Sequence, residues 1–144
     1  QGAELGVVWR WNDFKYFFGY THADVKEHTE TRVRMAPLMP KDRVNNVFVY
    51  EREDDFRIGL EAYYYGRQGL TDGSMARDFW IFGLMMEKRI DEDFSVFLNF
   101  ENFSDTRQTR FGSIYTGSRL NPIFADIFAP LDGSVINGGI KIRL

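Results

Sequence analysis

Residues Ser134–Leu144, SVINGGIKIRL, alternate strictly by twos. From Ile136 on, Ile136, Gly138, Ile140, Ile142 and Leu144 share one parity, and Asn137, Gly139, Lys141 and Arg143 share the other. Successive strand side chains point to opposite faces, so one face of this strand is apolar and the other charged. The alternation reaches the last residue of the sequence without a polar tail. A soluble domain rarely finishes on such a strand. The closing strand of a barrel in a bacterial outer membrane does, because lipid tolerates no unpaired sheet edge.

The spacing polar–x–Gly–x–x–apolar–x–apolar at Asn137, Gly139, Ile142 and Leu144 resembles the C-terminal assembly signal of outer-membrane barrels. Leu144 stands where that signal usually has an aromatic residue. Composition fits the same reading. Aromatics make up 17% of the chain, as 14 Phe, 7 Tyr and 3 Trp dispersed along it. A mean hydropathy of −0.36 is what alternating lipid-facing and lumen-facing residues average to. No uncharged apolar run approaches the roughly 18 residues of a membrane helix, which excludes a helical membrane protein. A net charge of −3, with no stripe of Lys and Arg, argues against nucleic acid. The absence of cysteine excludes a disulfide framework and any Cys-based metal site. Gln1 opens no signal peptide, so the chain is expected to be processed or a piece of a longer one.

Working back from the closing strand, six more strands are expected. They cover about Ala3–Trp11, Phe14–Asp24, Arg43–Glu51, Phe56–Arg67, Asp78–Arg89 and Phe94–Phe103. The first puts Leu5, Val7, Trp9 and Trp11 on one face, and the second Phe14, Tyr16, Phe18, Tyr20 and His22. The fourth, fifth and sixth do the same with Phe56, Ile58, Leu60, Ala62 and Tyr64, with Trp80, Phe82, Leu84 and Met86, and with Phe94, Val96, Leu98 and Phe100. The third has no clear phase, since Val47 and Val49 oppose Phe48 and Tyr50. Each strand is near the ~9–11 residues that cross a bilayer at a tilt.

Connections alternate in length. Asn12-Asp13, Glu53-Asp54-Asp55 and Asp91-Glu92-Asp93 are short turns of residues that tolerate turn backbone angles. Long loops are expected over Val25–Pro40, where two prolines cannot donate to a ladder, around Leu70–Met75, and over Ser104–Gly133. Short turns on the periplasmic side and long loops outside are how such barrels are built. Trp9, Trp11, Phe14, Tyr16, Tyr50, Phe56 and Phe94 fall near the short turns, and Tyr20, Tyr64 and Trp80 near the long loops. Two such bands suit girdles at two membrane interfaces.

Several segments resemble the C-terminal barrel of TonB-dependent receptors. They are Pro37-Leu38-x-Pro40 before Val44–Tyr50, Gly59–Tyr64, Gly83–Arg89 and Asn99–Gln108. The run Ala129–Gly133 followed by Asn137-Gly138-Gly139 resembles the Bacteroidetes-type members. The resemblance covers essentially the whole chain and implies a 22-stranded barrel, plugged by an N-terminal domain and importing a scarce nutrient. Residues 1–144 would be its C-terminal segment, without the plug. The nutrient would be a siderophore, cobalamin or an oligomer. The partners implied are outer-membrane lipid, the remaining strands and plug, the TonB system acting through that plug, and the extracellular nutrient. No cofactor is implied.

The alternative is a self-contained barrel of eight strands with a structural or adhesive role, for which Glu30–Ala36 would supply the extra strand. Its inward charges Arg10, Lys15, Arg57, Glu61, Glu87 and Arg89 would then pair in a packed lumen.

Ligand-facing candidates are Tyr63, Tyr65 and Arg67, which rise inward toward the outer mouth, and Arg107, Gln108 and Arg110, which open the longest loop. The two arginines could instead pair with Asp105, and the loop aromatics Phe111, Tyr115, Phe124 and Phe128 could close over a ligand or pack on one another. Enzyme readings have little to stand on. His22 and His28 are the only imidazoles, and no spacing singles out Ser113 or Ser118 as a nucleophile. Acidic residues in the short turns (Asp54, Asp55, Asp91, Asp93) are hairpin chemistry rather than a metal site.

Overall fold

The computed structural model describes residues 1–28, 30 and 33–143. Eleven strands form among them: β1 Gly2–Trp11, β2 Phe14–Ala23, β3 Lys26–His28, β4 Val33–Met35, β5 Asp42–Arg52, β6 Phe56–Tyr65, β7 Phe79–Arg89, β8 Phe94–Glu101, β9 Tyr115–Ser118, β10 Asn121–Phe124 and β11 Val135–Ile142. Seven of them make one antiparallel meander in the order β1-β2-β5-β6-β7-β8-β11. The other four form two small hairpins, β3-β4 and β9-β10, inside the first and last long connections. All seven expected strands are present within two residues of their expected bounds. Leu144 lies outside the described residues.

The cross-strand register gathers every expected apolar parity onto a single face. Leu5 pairs with Tyr20, Val7 with Phe18 and Trp9 with Tyr16. Tyr16 in turn pairs with Phe48, Phe48 with Leu60, Leu60 with Leu84, Leu84 with Phe100 and Phe100 with Ile136. The ambiguous third strand is thereby phased, with Phe48 and Tyr50 on the apolar face and Val47 and Val49 on the other. That apolar face is open to the surroundings: Leu60 is 47% exposed, Ile140 60% and Ile142 66%. The opposite face holds the most enclosed positions of the sheet, Val49, Phe79, Gly59 and Gly83. We call the apolar face outward and the polar face inward.

Aromatic rings line up in two bands on the outward face. Near the short turns, Trp9–Trp11, Trp11–Phe14, Phe14–Tyr50 and Tyr50–Phe56 lie 4.9–6.2 Å apart between ring centres. Near the long loops, Tyr64–Trp80, Trp80–Phe82 and Phe82–Phe103 lie 5.1–5.9 Å apart. The turns that set this register are tight. Asn12 and Asp54 take φ values of 50° and 59°, a left-handed conformation that Asn and Asp tolerate better than other side-chain-bearing residues.

The segment Glu30–Ala36, which the eight-stranded alternative would use as its extra strand, does not join the seven-stranded sheet among the described residues. Its described part supplies β4, which pairs there with β3, while Thr31 and Arg32 lie outside the described residues. The hairpin β9-β10, within a stretch read as plain loop, was not expected. Four-residue strands that lie wholly exposed leave no two-faced pattern in the sequence.

Candidate functional site

Alternation along β6 places Tyr63 and Tyr65 on the inward face, and Arg67 follows just past its end. Tyr65 lies against Phe79 of β7, with ring centres 5.0 Å apart and planes at 14°. The guanidinium of Arg43 on β5 sits 4.9 Å from the centre of the Tyr65 ring. Arg43 also donates to the Tyr65 hydroxyl at 3.4 Å. A cation beside an aromatic face at the outer end of the inward wall can take a planar or anionic ligand group. Arg43 was missed by the sequence reading, because the signal for it was the phase of β5, which alternation leaves undecided. Arg67 is exposed, and its Nε donates to the Ala76 carbonyl at 3.4 Å.

Tyr63 stands one row lower, beside a hollow of about 330 Å3 shared with Glu61, Gly83, Met85, Asn99 and Glu101. The Glu61 carboxylate lies over Gly83, where an added side chain would meet its Oε2 at 3.2 Å. Asn99 donates to Asn137 Oδ1 at 3.0 Å, and Asn137 donates to Glu101 Oε1 at 2.7 Å. The expected assembly residues thus divide by face. Asn137 joins an inward amide–carboxylate chain, Gly139 lies beneath the Phe97 ring, and Ile142 points outward. The expected position Leu144 lies outside the described residues.

The longest loop distributes its three candidates differently. Arg107 and Arg110 both reach Asp105 Oδ2, at 3.4 Å and 2.6 Å. Gln108, expected to face a ligand, is 3% exposed, and its amide is engaged inside the loop. Its Nε2 donates to the Asp126 carbonyl at 3.1 Å, and its Oε1 accepts from the backbone N–H of Phe128 and Ala129. A glutamine in a loop reads as polar surface in sequence. Only the fold shows that it replaces missing backbone partners. The loop aromatics pack on one another and on the sheet: Phe79–Phe111 is 5.9 Å and Phe111–Phe128 is 5.7 Å.

Nearer the short turns the inward face carries a chain of alternating charges. Lys15 pairs with Glu51, Arg57 donates to Glu87 at 3.0 Å, and Lys141 donates to both oxygens of Glu87 at 2.9 Å. Ser95 adds a further donor to Glu87 at 3.1 Å. The acidic turn residues are similarly committed, Asp55 to Lys88 and Asp54 to Arg89. The Lys88 ammonium holds the Asp55 carboxyl below its usual range. In the loop, the Ser74 hydroxyl and then its backbone N–H hold the Asp72 carboxyl low. His22 sits at the outward rim, where Asp42 accepts from Tyr20 at 2.7 Å and lies 2.8 Å from His22 Nδ1. Neither Ser113 nor Ser118 takes part in that group.

No family model matches the sequence, and no curated protein matches it. The fold is similar to solved receptors. One is a mutant ferric enterobactin receptor from Pseudomonas aeruginosa in complex with enterobactin, with a TM-score of 0.76 and 17% identity over 98% of this chain and 22% of that one. Another is the ferric enterobactin receptor in complex with BCV-L6, with a TM-score of 0.70 and 17% identity over 96% of this chain and 21% of that one. The chain therefore spans about a fifth of the length of the receptors it matches. Its seven-stranded meander has the fold of a stretch of those receptors.

Proposed function

We propose that the chain is the C-terminal wall of a TonB-dependent transporter in the bacterial outer membrane. The observation that carries this is the pairing of two unlike faces across one register. The outward face is apolar between two aromatic bands, while the inward face carries Arg, Lys, Glu, Asn and Tyr. A sheet with those faces belongs between lipid and a polar lumen. The likeness in fold to ferric enterobactin receptors over nearly the whole chain supports transport rather than catalysis. In this role the segment is passive. It contributes barrel wall and outer loops, while energised movement belongs to a plug coupled to the TonB system. The nutrient is captured from outside at the outer end of the inward wall, where Arg43, Tyr63, Tyr65 and Arg67 stand.

Uptake tests the function. Cells with and without the intact protein are given ferric enterobactin labelled in its iron, labelled cobalamin or a labelled oligosaccharide, each with and without an uncoupler. Uptake of one of them that is lost both with the protein and with the uncoupler is the expected result. Equal uptake of all three would remove the importer reading. Position is tested independently by lipid brominated at defined acyl depths. Trp9, Trp11 and Trp80 should be quenched most by shallow bromines, as interface residues are.

A further inference from the structure

The three long connections of a barrel wall are ordinarily free to move one by one, but here their contacts cross-link them. Between β4 and β5, the Leu38 N–H donates to the Gly69 carbonyl at 2.9 Å, and Pro40 bridges to Gln68. Between β6 and β7, Gln68 is 3% exposed and its Nε2 donates to the Phe128 carbonyl at 3.1 Å. From the same connection, the Thr71 N–H and hydroxyl both donate to Asp126 Oδ2, at 2.6 Å and 2.9 Å. Between β8 and β11, Gln108 holds the Phe128 and Ala129 N–H groups, and Thr106 donates to the Trp80 carbonyl at 2.7 Å. Two buried glutamines are thus the keystones of a network that joins all three connections and fastens them to β7. Buried amides held by several bonds favour one arrangement, because each broken bond leaves a desolvated polar group behind.

The β9-β10 hairpin is different. Every residue in it is exposed, with Leu120 at 98% and Phe124 at 73%. Its ladder bonds stay within the hairpin, and its root is closed by the Ala125 N–H donating to the Ile114 carbonyl at 3.0 Å. Few buried contacts and a solvated backbone mark the low-stability end of a structure.

We propose that the three long connections are held as one rigid cap over the outer end of the inward wall, and that the β9-β10 hairpin is a flap that swings from it. The cap stays in place while the apolar flap tip closes. This rests on the loop contacts and on the exposure of the hairpin, and stands whether or not the protein imports a nutrient.

Spin labels test it in the intact protein in lipid. Met39→Cys, Met75→Cys and Thr109→Cys put one label in each connection at exposed side chains, and Leu120→Cys labels the flap tip. Distances among the first three should be single and narrow, and any distance to the tip broad. A broad distribution among the first three overturns the cap, and a narrow distance to the tip overturns the flap. Gln108→Ala adds a readout of coupling. Hydrogen exchange at Leu38 and Thr71, in the other two connections, should rise about tenfold together with Phe128 and Ala129, while strand amides stay protected. A rise confined to Phe128 and Ala129 would make Gln108 a local brace and end the proposal.

Discussion

Ile140 shows how far one side chain reports on the whole. It pairs with Val96 on the outward face and is 60% exposed. A lipid-facing arginine near the bilayer centre costs about 2–4 kcal/mol. Ile140→Arg is therefore expected to impair assembly, read as loss of heat-modifiable mobility in outer-membrane extracts. Unchanged mobility would contradict the outward placement. Asp72 makes a residue-scale prediction of another kind. Its carboxylate accepts from the Ser74 N–H at 2.8 Å and from the Ser74 hydroxyl at 2.7 Å, and these bonds hold its proton affinity low. A carboxyl depressed in the folded state stabilises the turn above its ordinary range, and that contribution fades as pH falls through the depressed value. Opening of the 70–75 turn, followed by the dynamics of a label at the exposed Met75 position, should therefore increase only in acid. Asp72→Ala should remove that pH dependence while leaving the turn looser throughout.

At the scale of elements, β5 carries the sharpest test. Its register places Phe48 opposite Tyr16 and Leu60 on the outward face, and Val47 opposite Phe17 and Glu61 on the inward one. Phe48→Arg should lower folding stability in lipid by about 2–4 kcal/mol, measured by urea titration. Val47→Arg should cost less, because the new cation faces a polar lumen with Glu61 opposite. The reverse order would mean that β5 is shifted by one residue, which flips every side chain of a strand. Element bounds were largely legible because each main strand bears period-two alternation closed by Asn, Asp or Glu turns. β5 was legible as a strand but not in phase, since both of its parities are apolar around Val47–Tyr50. The β3-β4 and β9-β10 hairpins were not legible, because strands of three or four residues are too short for alternation to show.

Across the whole molecule, charge and apolarity are sorted by the sheet. The chain carries 21 acidic and 18 basic residues, yet the outward faces of the central strands hold almost none of them. On the inward side Lys15, Glu51, Arg57, Glu87 and Lys141 come from five different strands and meet in one band of alternating sign. Such pairing neutralises these five side chains, since lone charges are costly where water is limited. The upper wall instead carries the cationic and aromatic pair Arg43 and Tyr65. What the sequence determined by itself is what depends on near neighbours along the chain: strand existence, turn positions, which parity is apolar, and the aromatic bands. The tertiary structure alone decided the phase of β5, the partners of Glu87, the stacking of Arg43 on Tyr65 and the burial of Gln108. Each of these depends on which residues far apart in sequence come to lie a few ångströms apart. Alternation is a local, one-dimensional signal. A side chain's role at the site is set by its neighbours across strands and loops, and the register and the loop packing choose those neighbours.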